Sequence, residues 1–67
     1  MGTYKIIEIV GTSGKSWEDA TRQAVATAGK SLEELRIAEI VRMDVTIEGG
    51  KIKSFRVRLN VSFKLYE

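Results

Sequence analysis

The chain has 67 residues, no cysteine, no histidine and a net charge of only +2, from 11 basic and 9 acidic side chains. One domain spanning residues 1–67 is all that this length holds, and the missing residue types exclude disulfides, thiolate metal sites and the commonest general base. A domain this small buries only about 60% of its unfolded surface, so with those staples excluded self-association is the remaining stabiliser.

The first predicted element is a strand, Tyr4-Lys5-Ile6-Ile7-Glu8-Ile9-Val10, dense in β-branched residues. Both of its faces carry bulky apolar groups, which predicts cover on both sides. Nothing at the N-terminus has the long apolar region of a signal peptide. Ile6 stands where a myristoylation motif wants Ser or Thr. No stretch approaches the roughly 18 apolar residues that a membrane span needs. A soluble cytoplasmic protein with no membrane partner is the expectation.

Gly11-Thr12-Ser13-Gly14-Lys15 is predicted as a turn. Its Gly14-Lys15-Ser16 end mimics the tail of a phosphate-binding loop, but Ile9 stands where that motif needs its first glycine. Ser16-Trp17-Glu18-Asp19 approximates a capping box, with acids in the first helical turn. The helix is expected to run to about Lys30. Its apolar stripe is Trp17, Ala20 and Ala24, flanked by Thr21, Val25 and Ala28. Small side chains let a helix lie close on a sheet.

Two long strands follow, from about Leu35 to Ile47 and from about Ile52 to Leu65, joined by the hairpin turn Glu48-Gly49-Gly50-Lys51. The last strand alternates an apolar face (Phe55, Val57, Leu59, Val61, Phe63, Leu65) with a polar one (Ser54, Arg56, Arg58, Asn60, Ser62, Lys64). A strand of about 13 residues spans roughly 43 Å, whereas a helix of about 15 spans roughly 22 Å. One helix cannot cover such a hairpin, and another copy of the chain is the cheapest cover.

A two-residue turn places Ile47 opposite Ile52 and Glu39 opposite Asn60. Parity from there groups Ile37, Glu39, Val41, Met43 and Val45 with the polar face of the last strand. That mixture suits an interface or pocket better than bulk solvent. A plain surface contact between Glu39 and Arg58 is the other reading of the same residues. Only the last strand offers a concentration of positive charge, too slight for a nucleic-acid partner.

The chain resembles the dodecin family over nearly its whole length. The matching stretches are Tyr4–Ser13, Ser16-Trp17-Glu18-Asp19-Ala20, Glu39-Ile40, Ile47-Glu48-Gly49-Gly50-Lys51 and Val57–Leu65. The resemblance implies an α+β subunit of β-α-β-β order whose three-stranded antiparallel sheet wraps one helix. It also implies twelve such subunits in a hollow homododecamer built from trimers. Flavin-binding dodecins are not enzymes; they store or buffer riboflavin or related flavins, including FMN, in stacked pairs near twofold axes.

The resemblance departs at the pocket. Flavin-binding members stack the ring on a tryptophan of the second strand, where this chain has Ile37 in Ile37-Ala38-Glu39-Ile40. They bond its polar edge with a glutamine of the third strand, where this chain has Arg56. Isoleucine lacks a π-face, and arginine donates hydrogen bonds but accepts none. Trp17 is expected in the core rather than under a flavin. Ile37, Glu39, Arg56 and Arg58 are the candidate ligand residues, with the arginines suited to a phosphate-bearing ligand or to Glu39 across a subunit boundary. Arg42-Met43-Asp44-Val45 and Val61-Ser62-Phe63-Lys64 resemble a branch associated with calcium, Ca2+. One aspartate cannot supply the roughly six to eight oxygens calcium takes, but three copies of Asp44 around a threefold axis, with carbonyls and water, could. The alternative for Asp44 is a pair with Arg42 or Lys53, or a solvent-facing place near the hairpin tip.

Overall fold

In the computed structural model, which describes residues 2–65, the chain runs β1 (Thr3–Ser13), α1 (Trp17–Ser31), β2 (Leu35–Glu48) and β3 (Lys51–Leu65). The three strands form one antiparallel sheet in the order β1-β3-β2, with the long β3 in the centre. The β-α-β-β order and the antiparallel sheet are as expected from the sequence. Among the described residues no helix is long and apolar enough to cross a membrane.

The helix starts at its serine cap. Ser16 Oγ accepts from the Asp19 backbone N–H at 3.0 Å, satisfying one of the free first-turn donors. Asp19 does not return the bond to complete a capping box. Its Oδ2 instead accepts from the buried Ser13 hydroxyl and from Gln23 Nε2, each at 2.6 Å. These bonds, Ser13 foremost, hold the Asp19 carboxyl below its usual pKa. They also stitch the end of β1 to the start of α1.

The predicted turn after β1 is shorter than expected. Gly11, Thr12 and Ser13 continue the strand, paired with Val57, Arg56 and Phe55. A Cβ on Gly11 would lie 2.5 Å from the Ala20 carbonyl oxygen and 2.7 Å from the Ala24 Cβ. Glycine is needed here for close helix–strand approach, not for bending. The bend lies at Gly14-Lys15, where Ser13 Oγ accepts from the Lys15 N–H at 2.9 Å. The real tight turn is Gly49-Gly50, both at positive φ (59° and 75°), as a two-residue hairpin requires.

The core is the alanine stripe Ala20, Ala24 and Ala28 against Val57, Leu59 and Val61 of β3. Ile7, Ile9, Trp17, Val25 and Leu35 pack around it. The Trp17 ring meets Phe55 edge-on, with centroids 5.1 Å apart, and its Nε1 donates to the Asp44 carbonyl at 2.9 Å. Trp17 is thus structural, as expected. The hairpin outruns the helix: the molecule measures 51 × 19 × 14 Å. Cover on both faces of β1 is not realised within one chain, since Tyr4, Ile6 and Val10 stay exposed on the face away from α1.

A ligand-binding candidate on the outer sheet face

The sheet face away from α1 gathers most of the side chains singled out by the sequence. Its central strand contributes Arg56, Arg58, Asn60 and Ser62, opposite Thr12, Val10, Glu8 and Ile6 of β1. On the β2 side, Ile37 stands opposite Ser62 and Glu39 opposite Asn60. Both ends of the expected hairpin register hold: Ile47 opposes Ile52, and Glu39 opposes Asn60.

Between those ends the register is displaced by one. An extra residue in β2, Val41, breaks the ladder between Ile40 and Arg42, and an extra residue in β3, Lys53, restores it between Thr46 and Ile47. Such bulges re-aim side chains. Residues 42–46 are therefore turned over relative to the sequence expectation. Met43 and Val45, expected on the polar face, oppose Val57 and Phe55 on the helix side. Arg42, Asp44 and Thr46 come to the outer face, opposite Arg58, Arg56 and Ser54. The physical reason is plain: without the bulges Arg42 and Asp44 would face the apolar core, where unpaired charge is costly. Two charged residues at inward positions are the one sequence signal that could have revealed the inversion.

The inversion gives Asp44 its partner. Arg56 Nε donates to Asp44 Oδ1 at 2.7 Å and Arg56 Nη2 to Oδ2 at 2.8 Å, a two-pronged ion pair. The Arg56 bonds hold the Asp44 carboxyl below its usual pKa and raise that of the guanidinium. Neither Arg42 nor Lys53 is the partner; Lys53 pairs with Glu48 at 2.9 Å. Because the Asp44 carbonyl also receives the Trp17 indole, this pair is tied to the start of the helix.

Arg58 turns not to Glu39 but to Glu8 on β1, at 3.9 Å. Glu39 makes no ion pair among the described residues. Ile37 is 68% exposed. It shares the outer face with Arg56 but lies six positions farther along β3's ladder, about 20 Å at the usual strand rise. Glu39 and Arg58 are diagonal neighbours; Ile37 and Arg56 are not neighbours within one chain.

The two implied ligands meet this arrangement differently. A flavin ring finds apolar contact at Ile37 but no aromatic platform, and at Arg56 a donor already engaged by Asp44. For calcium, both Asp44 carboxylate oxygens are taken by Arg56, and no group of three or more metal-ligating side chains occurs among the described residues. Within one chain the donor set does not fit calcium.

The dodecin family model matches residues 3–66. The chain is 38% identical to calcium dodecin from Mycobacterium tuberculosis over 65 residues, 97% of this chain and 92% of that protein. It is 39% identical to a dodecin from Thermus thermophilus over 64 residues, 96% and 93% of the two. A solved dodecin from Streptomyces coelicolor superposes with a TM-score of 0.94 at 35% identity, covering 98% of this chain and 94% of that one.

Proposed function

The chain belongs to the dodecin family, and from that membership we propose that it is a non-enzymatic shell protein. Twelve copies, assembled as trimers, bind and buffer a small ligand between subunits. Flavin is the family default, held here in an altered pocket. The observation that carries this reading is the outer sheet face, where Ile6 (63% exposed) and Ile37 (68%) lie among Glu8, Glu39 and Arg58. Apolar and charged groups mixed in this way suit a surface that is covered in the working molecule.

The distance along β3 sets how such a pocket is composed. A pocket that uses both Ile37 and Arg56 takes them from different subunits. Ile37 and Glu39 then supply one wall, and Arg56 with Arg58 the other. Ile37 offers contact area without stacking, and Arg56 favours an acceptor-rich edge or an anionic group. Titration of the purified protein with riboflavin and with FMN tests this, read by flavin fluorescence. Quenching that saturates at a fixed stoichiometry supports flavin buffering; undiminished fluorescence throughout the titration removes flavin from the account.

A second reading is calcium binding, favoured by the likeness to calcium dodecin of M. tuberculosis. Three copies of Asp44 around a threefold axis would share the ion, after each gave up Arg56. Thermal melts in calcium and in chelator decide it: a higher midpoint with calcium, lost in Asp44→Asn, supports the reading, and coincident curves reject it.

A further inference from the structure

The β2–β3 ladder sets Arg42 directly opposite Arg58 on the outer face. Like charges facing one another across a sheet destabilise it. Little on the chain relieves the pair. Arg58 meets Glu8 only at 3.9 Å, and both side chains are about half exposed. Arg56, the third arginine of the cluster, is held by Asp44. Arg42 makes no ion pair among the described residues. Asp44 and Glu8 engage Arg56 and Arg58, and the third carboxylate of this face, Glu39, stands diagonal to Arg58 and makes no ion pair with Arg42 or Arg58 among the described residues.

The bulge at Val41 creates this clash, because it is what turns Arg42 to the face of Arg58. A depression of about 30 Å³ lies between them, lined by Val10, Arg42, Asp44, Arg56, Val57 and Arg58. It is large enough to hold a water or an oxygen of an anionic group.

We propose that Arg42 and Arg58 together hold an oxyanion, a phosphate or carboxylate group that is free or forms the end of a larger ligand. Guanidinium forks are matched to such groups, donating two hydrogen bonds each. Asp44 fixes Arg56 through Nε and Nη2 and leaves its Nη1 for a further acceptor. Val10 supplies an apolar wall beside the charge. The inference rests on the proposed ligand-binding role of the outer face, and it names the chemical group that the face selects.

Calorimetric titration of inorganic phosphate into the intact protein, at constant ionic strength against chloride, tests the site. Saturable binding at one phosphate per chain is expected, weakened roughly tenfold or more in Arg42→Gln, as for loss of a charge-assisted contact. Thermal melts of the same variant guard against a folding defect. In chloride, Arg42→Gln should melt above the wild type, because a like-charge pair has been removed. In phosphate the wild type should gain and the variant should not. Heats no larger than the chloride control, or equal binding by the variant, overturn the proposal. So does a wild type that ignores phosphate but loses its assembly in Glu39→Gln, since a second copy's carboxylate would then be the neutralising group. Riboflavin and FMN run in parallel separate this from the flavin reading: phosphate binding without any flavin response removes flavin alone. FMN binding more tightly than riboflavin places the oxyanion on the flavin, and equal affinities place it on a separate anion.

Discussion

The two faces of the sheet obey different rules. The inner face is closed along its central strand: Val57, Leu59 and Val61 are almost fully buried beneath a helix whose contact stripe is alanine, while Ile40 and Met43 of β2 on the same face stay about half exposed. The outer face, built from the alternate residues of the same strands, leaves Ile6, Val10 and Ile37 more than half exposed and sets arginine against arginine. The first face holds the subunit together, and the second carries the groups on which the proposed ligand-binding role rests. Alternation lets one strand serve both ends, since neighbouring positions such as Val57 and Arg58 never compete for the same environment.

Core substitutions sharpen the contrast most. Leu59→Ala should cost about 2–5 kcal/mol, because the cavity opens under a rigid helix–sheet contact; chemical denaturation monitored by Trp17 fluorescence measures it. Gly11→Val forces a side chain against the Ala20 carbonyl and Ala24. A loss of about 1–3 kcal/mol is expected from overpacking there, and an unchanged midpoint would mean that helix and strand are farther apart than described.

On the outer face, Ile37→Trp should leave the stability of the subunit within about 0.5 kcal/mol, as for an exposed site. It should strengthen riboflavin binding by roughly two- to tenfold, the worth of one aromatic pairing. A large loss of subunit stability would show that the outer face is structural after all. The smallest expected effect is on acid sensitivity. Asp44 and Asp19 have folded pKa values below their unfolded ones. Their contribution is present above the unfolded value near 3.8 and is lost as pH falls through the lower folded values. Asp44→Asn should therefore flatten the acid limb of the stability curve and leave its slope near neutrality unchanged, as followed by melts across pH.

The elements were legible in the sequence where one signal dominates: the alternation of β3, the Gly49-Gly50 turn, and the alanine stripe after the Ser16 cap. The hairpin register is legible beside the turn and from Ile37 to Ile40, but not between them, nor at Leu35, which a further bulge sets opposite Phe63. Val41 and Lys53 are extra residues on opposite strands, so their offsets cancel, and a count from the turn arrives correctly at Glu39 while misplacing residues 42–46. The charges of Arg42 and Asp44, which that count places inward, are the sequence's one mark of the offset. For the same reason the sequence names Asp44 as a site candidate without its partner Arg56, and offers Arg42 only as a partner for Asp44. The chain between Gly11 and Ser13 misled for another reason, since glycine there serves close packing rather than turning.

The proposed function requires that the outer face be covered by other copies of the chain. Native mass spectrometry of the untagged protein at low concentration tests this most directly. A dominant species with the mass of twelve chains, with or without trimers, is the predicted result. A monomer that stays folded would contradict it, because the exposed isoleucines and opposed arginines would then face water with no partner.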